Sequence, residues 1–360
     1  MKSTRITALI ITVLSLLFFV KEESLFACIF LAANISVLAV CLMTIRLTGK
    51  KIELNVSTVE NVSKGMSVPL HIKLNNKSKL PIFCMKCSVV CENVLTGEKS
   101  REEIFLNAGP LKTSVKTMEL DEHNCGYINI SVENVRIFDM FMIFVSKTSV
   151  TTEGGAYVMP QIRQIELDER VLYAYNMESY QYSTYQKGND PSETFGIREY
   201  IEGDSPKTIH WKLTGKTGDL VVRELGLPVE NSILILMDKR LSEGEELSAE
   251  LRASAAELFL SLSHALLENG IGHSVAWMDY RKGMFIMRHV ANQQELWAIS
   301  GNLLEGPYQE DKFSTPVHYL ENEGNRNFAS YFYITAGVDS DEMRLEDRGA
   351  VKVYRAENFK

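Results

Sequence analysis

Ser232-Ile233-Leu234-Ile235-Leu236-Met237-Asp238 is an unbroken apolar run closed by a carboxylate. A short run without alternation suits a strand buried on both faces, as in a parallel sheet. Downstream, Leu247, Leu251, Ala255, Leu258, Leu262 and Leu266 recur at helical spacing, and Asn269-Gly270 can end that helix in the left-handed conformation. Residues 273–278 and 284–288 predict the next strands, 291–304 a further helix and 331–335 a late strand. This order predicts an α/β doubly wound domain over residues 231–360. Ligands of such sheets bind at the carboxyl ends of strands, where Asp238 and Ala336-Gly337 fall.

Upstream, the pattern is different. Val68, Leu70, Ile72 and Leu74 alternate with polar or small residues, as do Ile52, Leu54 and Val56, and Ile128, Ile130 and Val132. Asn75-Asn76-Lys77-Ser78 supplies a turn, and no helical period persists. Residues 51–160 therefore predict an all-β, immunoglobulin-like sandwich. Before it lie two apolar runs, residues 6–20 and 25–45, separated by Lys21, Glu22, Glu23 and Ser24. The second is long enough to cross a bilayer; the first needs Thr4 and Arg5 as well. Residues 1–50 thus predict a two-helix membrane anchor. Lys2 and Arg5 before it, and Arg46, Lys50 and Lys51 after it, place both ends in the cytoplasm by the positive-inside rule. A cleaved signal peptide is the competing reading, with Leu25-Phe26-Ala27-Cys28 resembling a lipoprotein box. Three charges separate that box from the first apolar core, and a largely apolar stretch follows it.

The total charge of −8 divides into +3 over residues 1–50 and −11 over the rest. An acidic body lacks the cationic footprint of a nucleic-acid protein. Six cysteines fit a reducing interior; Cys84, Cys87 and Cys91, with His123 and Cys125, have weak zinc-like spacing. On a strand, however, Cys84 would face away from Cys87 and Cys91. Gly215-Lys216-Thr217 imitates the end of a phosphate-binding loop, yet His210 stands where its first glycine belongs. Gly270-Ile271-Gly272 lacks a third glycine, and no G-x-S-x-G serine elbow occurs.

Residues 161–230 form a connector. It begins with Tyr173, Tyr175, Tyr180, Tyr182 and Tyr185 and ends in a distinctive stretch. That stretch is Phe195-Gly196-Ile197-Arg198-Glu199-Tyr200-Ile201-Glu202-Gly203-Asp204-Ser205-Pro206-Lys207-Thr208-Ile209-His210-Trp211-Lys212-Leu213-Thr214, continuing to Asp219-Leu220-Val221-Val222-Arg223-Glu224. Gly203-Asp204-Ser205-Pro206 is a tight turn. Arg198, Lys207, Lys212 and Arg223 lie near Glu199, Glu202, Asp204 and Glu224, and Trp211 offers an apolar face for cation–π contact or core packing. The stretch reads as a polar lock joining the two globular regions, with a partner-binding surface as the alternative. His210 has no nucleophile or orienting carboxylate identifiable beside it.

This stretch resembles the motif of the domain of unknown function 58 family, roughly G-x-R-x-Y-x-x-G-D-x-x-R-x-I-x-W. Gly196, Arg198, Tyr200, Gly203, Asp204, Ile209 and Trp211 match; Lys207 stands for an arginine, and His210 where aspartate is frequent. The two spans, Phe138-Asp139-Met140-Phe141-Met142-Ile143-Phe144 (for a D-P-F-G-L-F turn) and Tyr157-Val158-Met159-Pro160 extend the resemblance along the chain. It implies a von Willebrand factor A-like C-terminal domain. It also implies association with MoxR-type AAA+ ATPases and transglutaminase-like membrane proteins. The metal site of such domains is D-x-S-x-S, which ligates a hard cation. Here Asp238 and Ser242 match but Arg240 replaces the middle serine, and Ala336-Gly337 stands where T-D-G is frequent. No metal, cofactor or catalytic residue is expected. The expected protein is a membrane-anchored, cytoplasm-facing, non-enzymatic scaffold or adaptor. The alternatives are a thiol-dependent or hydrolase-like enzyme subunit and a metal-dependent adhesion module.

Overall fold

The structure, a computed structural model, describes residues 2–359 apart from 23, 50, 149–151, 168–180, 189, 325, 338–340 and 342. Tyr173, Tyr175 and Tyr180 of the tyrosine-rich connector, and Lys50, lie outside the described residues. The chain divides into two compact units, one of Met1–Asn93, Glu98–His123 and Tyr127–Val158, the other of Val94–Gly97, Asn124–Gly126 and Met159–Lys360.

The first unit begins with helices α1 (Lys2–Glu22) and α2 (Leu25–Thr48). Ser24 starts α2 by accepting a hydrogen bond from the Ala27 amide at 3.2 Å. At 1.5 Å per residue they are about 32 and 36 Å long, enough for a hydrocarbon core of about 30 Å. α1 extends past its short apolar run at both ends, which supplies the length that run lacks. Thr12 Oγ1 donates across the hairpin to Asn34 Oδ1 at 3.0 Å. Outward side chains such as Leu9, Leu14, Val20, Phe26 and Ile29 are exposed. Both helices are long and apolar enough to cross a membrane.

Nine strands follow: β1 (Ile52–Thr58), β2 (Asn61–Ser63), β3 (Val68–Asn76), β4 (Ile82–Asn93), β5 (Lys99–Ala108), β6 (Thr113–Leu120), β7 (Gly126–Phe138), β8 (Val145–Lys147) and β9 (Glu153–Met159). One sheet has the order β1-β3-β6, the other β2-β9-β7-β4-β5 with β8 on β7. Period-2 alternation along β3 buries Val68, Leu70, Ile72 and Leu74, which share one core with Val89 of β4, Ile130 of β7 and Val158 of β9. Two sheets closed on one core make a β-sandwich. Asn76 is buried yet satisfied: its amide nitrogen donates to the Leu80 and Gly109 carbonyls, each at 2.9 Å, and its oxygen accepts from the Ser78 amide at 3.0 Å. It ties the turn after β3 to the turn after β5.

In the second unit, β10 (Gln181–Gly188) and β11 (Asp190–Glu199) pair antiparallel with the first half of β12 (Val221–Met237), and the short helix α3 (Trp211–Thr217) lies between β11 and β12 in sequence. The connector and the α/β domain, separated at residue 230 in the sequence reading, are therefore joined by one strand. The remaining elements are β13 (Arg240–Leu241), α4 (Ala249–Glu268), β14 (His273–Asp279), β15 (Met284–Val290), α5 (Gln293–Glu305), β16 (Gln309–Glu310), α6 (Thr315–Glu323), β17 (Phe328–Thr335), α7 (Met343–Glu346) and β18 (Ala350–Arg355). The main sheet runs β15-β14-β12-β17-β18, parallel except for the edge strand β15. Leu234 and Leu236 pack with Tyr319 of α6 on one face, while Phe259 of α4 meets Trp277 of β14 edge-on at 6.2 Å. As expected, Gly270 ends α4 at φ +73.

Cys87 and Cys91 point into the sandwich core, and burial pushes both thiols up to about 11; Cys84 is half-buried. A shift of that size lowers the thiolate fraction at neutral pH on the order of a hundredfold. In the full chain, N-ethylmaleimide at pH 7.5 should modify Cys87 and Cys91 about a hundredfold more slowly than after denaturation, as read by peptide mass spectrometry. Equal rates in both states would contradict this burial.

Candidate functional site

Arg198, on β11, sits opposite Val222 of β12, and Gly196 sits opposite Glu224. The guanidinium forks onto Asp204, each nitrogen–oxygen distance being 2.7 Å, while its Nε donates to Glu224 Oε1 at 3.2 Å and Nη1 also donates to the Glu199 carbonyl at 2.9 Å. Lys187 Nζ meets the same Glu224 Oε1 at 3.3 Å. A bidentate guanidinium–carboxylate pair fixes orientation as well as distance.

Local sequence explains why the loop reaches the arginine. Gly203 turns the chain at φ +108, and Asp204 Oδ2 then accepts the Ile201 amide at 2.8 Å. A Cβ on Gly196 would come within 3.1 Å of Glu224 Oε2, so glycine leaves Glu224 room to fold over β11. The Arg198 hydrogen bonds, foremost, and the Ile201 amide hold the Asp204 carboxyl down at about 2.

The rest of the motif is scaffolding. Ser205 opens a tight turn at Pro206–Thr208, beyond which buried Ile209 bridges to Val222. The His210 amide bonds the Val221 carbonyl at 2.8 Å, and its ring Nδ1 accepts the Leu213 amide at 3.3 Å as the N-cap of α3. The Tyr200 amide bonds the Leu220 carbonyl at 2.9 Å. Gly215-Lys216-Thr217 forms the last turn of α3 and runs into a strand, the reverse of a phosphate-binding loop. Among the described residues, Lys207 and Lys212 form no ion pair, and the buried Arg223 Nε has no hydrogen-bond partner.

The ion pairs of the expected lock, Lys187–Glu224, Arg198–Asp204 and Arg198–Glu224, lie inside the second unit. Trp211 is not core: it is 66% exposed, and no cation lies over its ring among the described residues. Ile201 is 63% exposed, and Ile197, Phe195 and Leu220 are exposed too. Uncovered apolar side chains thus lie along β11 (Phe195 and Ile197), on the salt-bridged turn (Ile201), at the start of α3 (Trp211) and just before β12 (Leu220).

At the carboxyl end of β12, buried Asp238 accepts from Tyr333 Oη at 2.6 Å, Thr315 Oγ1 at 3.2 Å and the Arg240 amide at 3.1 Å. Arg240 Nε lies 4.0 Å from its Oδ2, and Arg240 Nη1 lies 3.9 Å from Asp341 Oδ2. Burial raises the Asp238 carboxyl despite these donors. The Ser242 amide bonds Glu245 Oε2 at 3.0 Å. Donors and a guanidinium therefore occupy the directions from which a cation would draw lone pairs. Thr315 and Tyr333 were not singled out from sequence, since nothing in local spacing links them to Asp238. No group of three or more metal-ligating side chains gathers among the described residues.

No family model matches the chain, and no curated protein matches it. Solved structures show weak likeness. The CARDB domain of a Pyrococcus furiosus protein, solved in complex with di-metal ions, is 13% identical over 31% of this chain and 93% of that one, with a TM-score of 0.24. A β-glucosidase from Listeria innocua is 12% identical over 30% of this chain and 16% of that one, and red sea bream transglutaminase 10% identical over 31% and 17%, each with a TM-score of 0.23. At this level of likeness neither a fold assignment nor an activity is transferred.

Because the Asp204 carboxyl in the folded chain lies below the ordinary value of about 3.9, its stabilising contribution is present above about pH 4. It is lost as pH falls towards about 2. Asp204→Asn should lower the melting temperature at pH 7, and the difference from wild type should shrink below about pH 4 in thermal scans. Magnesium should leave the melting temperature of the full chain unchanged; a saturable rise would overturn the reading of Arg240.

Proposed function

We propose that the chain is a membrane-anchored, cytoplasm-facing scaffold or adaptor whose motif surface docks a protein partner. One observation carries this reading. Ile201 is exposed on the turn that the Arg198–Asp204 and Arg198–Glu224 pairs hold, Ile197 on β11 before it and Trp211 at the start of α3 after it. Exposed aromatic and aliphatic anchors on a preorganised frame suit protein recognition, because little ordering entropy remains to be lost on binding. The basic residues flanking α1 and α2 favour cytoplasmic ends.

The order β15-β14-β12-β17-β18, with β15 antiparallel at the edge, supports a von Willebrand factor A-like reading of the second unit. In that reading the Asp238 end has exchanged its metal for Arg240. By resemblance, the partner is a MoxR-type AAA+ ATPase, with a transglutaminase-like membrane protein as a further associate. The work is then assembly or remodelling of envelope complexes rather than catalysis. The raised, buried thiols of Cys87 and Cys91 weigh against a thiol-dependent enzyme.

Crosslinking in membranes followed by purification should recover the ATPase with the wild-type chain. Trp211→Ala with Ile201→Ala should reduce recovery more than about tenfold while the melting temperature stays within a few degrees. Unchanged recovery, or none from the wild type with the ATPase expressed, would count against the reading. Protease added outside intact cells should spare residues beyond Lys51.

A further inference from the structure

One feature of the first unit is unexplained by scaffolding. Between β7 and β8 the chain runs Asp139-Met140-Phe141-Met142-Ile143-Phe144. Asp139 is buried and organises the loop: its Oδ2 accepts the Phe141 amide at 3.3 Å, and its Oδ1 the Phe144 amide at 2.8 Å. Its carbonyl also accepts the Met142 amide at 3.1 Å. The product of this order is exposure. Met140 is 62% exposed and Phe141 50%, with Met142 and Phe83 exposed beside them. Met142 takes φ +55, a left-handed conformation that disfavours any residue with a Cβ.

The loop is fastened to the membrane helices. Arg5 Nε donates to the Ile143 carbonyl at 2.9 Å, and Thr4 Oγ1 to the Met142 carbonyl at 3.2 Å. Phe141 lines two apolar clefts, one shared with Val37, Val40 and Met140, the other with Ile11, Asn34 and Ile143. Ile11 lies five residues inward from Ile6, the start of the apolar run, a depth of about 8 Å. Interfacial elements bury their apolar faces about 5–10 Å below the headgroups. Above this level, Arg5 and Arg46 line a third cleft with Ile143, Phe144 and Ser146, placing two guanidinium groups where lipid phosphates lie.

We propose that the β7–β8 loop is a third membrane contact, inserted among the acyl chains of the leaflet facing the sandwich, with anionic phospholipid headgroups at Arg5 and Arg46. The occupant is lipid because the exposed Ile11, Val37 and Val40 of α1 and α2 form walls of the clefts. The inference rests on those helices spanning a bilayer. The loop then does what neither helix can do alone: it fixes the sandwich against the membrane plane at a second point beside the chain's exit from α2.

The test uses the full chain in vesicles of phosphatidylcholine with an equal part of phosphatidylglycerol. They also contain a phospholipid bearing a photoreactive group high on its acyl chain. Mass spectrometry should find label on α1, α2 and the peptide carrying residues 140–144. Labelled helices with an unlabelled loop overturn the insertion while leaving the anchor standing; label on none of the three overturns both. In a second measurement, Phe141→Trp is compared with wild type, whose Trp211, Trp277 and Trp297 supply the background. Lipids brominated high on the chain should quench the added emission about twofold or more, as expected for a side chain within the acyl region. No added quenching overturns the proposal.

Discussion

A single strand, β12, has to satisfy two different neighbourhoods. Its first half pairs antiparallel with β10 and β11, and its second half pairs parallel with β14 and β17. The first requirement tolerates polar side chains, so Arg223 and Glu224 stand there; the second excludes them, and residues 233–237 are all apolar and buried. Pro228 and a register shift between Glu230 and Ile233 mark the changeover, since proline cannot donate to a ladder. Arg198 and Glu224 are diagonal neighbours only because the antiparallel ladder sets their register. The Arg198–Asp204 fork then fixes the turn, which displays Ile201 and leads towards α3, where Trp211 is exposed. Breaking the ladder would dissolve the surface without touching its residues.

This arrangement explains what could be read along the chain and what could not. The second half of β12 was legible because burial on both faces leaves an unbroken apolar signature. α4 was legible from its helical period and its terminating glycine, and the sandwich strands from their alternation. By contrast, α6 starts at Ser314-Thr315-Pro316 and carries few apolar residues, so its periodicity is faint. β18 alternates over only a few positions, with Lys352 between Val351 and Val353. For the candidate site, residue types were legible and roles were not. His210 invites a catalytic reading until its ring is seen to cap α3. Trp211 invites a core reading until the turn leaves it in water. Which side of a short helix faces solvent depends on tertiary packing, and no local pattern encodes it over so few residues.

The Asp238 end gathers its hydrogen-bond partners from distant parts of the chain. Tyr333 and Thr315 lie far from Asp238 in sequence, yet both aim hydroxyls at its carboxylate. A buried carboxylate needs such donors whether or not a metal is present, because leaving it unsatisfied costs roughly 1–3 kcal/mol or more. Arg240 brings a guanidinium to within 4.0 Å of that carboxylate. A nearby basic residue is treated differently by the same environment. Lys239, wholly buried, is pulled down to about 7 by desolvation and donates to the Leu303 and Gly306 carbonyls at the end of α5. Arginine retains its charge in such surroundings and lysine partly yields it.

The β7–β8 loop is also shaped by its surroundings. In water, the exposed parts of Met140, Phe141 and Met142 gain nothing from burial, and the left-handed Met142 adds a conformational cost of about 1–2 kcal/mol that glycine would avoid. Buried Asp139 spends its hydrogen bonds holding this unfavourable shape, and Arg5 and Thr4 spend theirs attaching it to α1. A loop selected for stability alone would place glycine at position 142 and polar residues at its tip. Fully burying a side chain of this size in hydrocarbon returns roughly 1.5–3 kcal/mol. Covering the exposed parts of Met140 and Phe141, 62% and 50% of their surfaces, returns roughly 2–3 kcal/mol between them, comparable to or above the backbone cost. The shape is therefore unfavourable for a loop in solution and favourable for one whose tip is covered by lipid, and the adjoining helices are long and apolar enough to cross a bilayer.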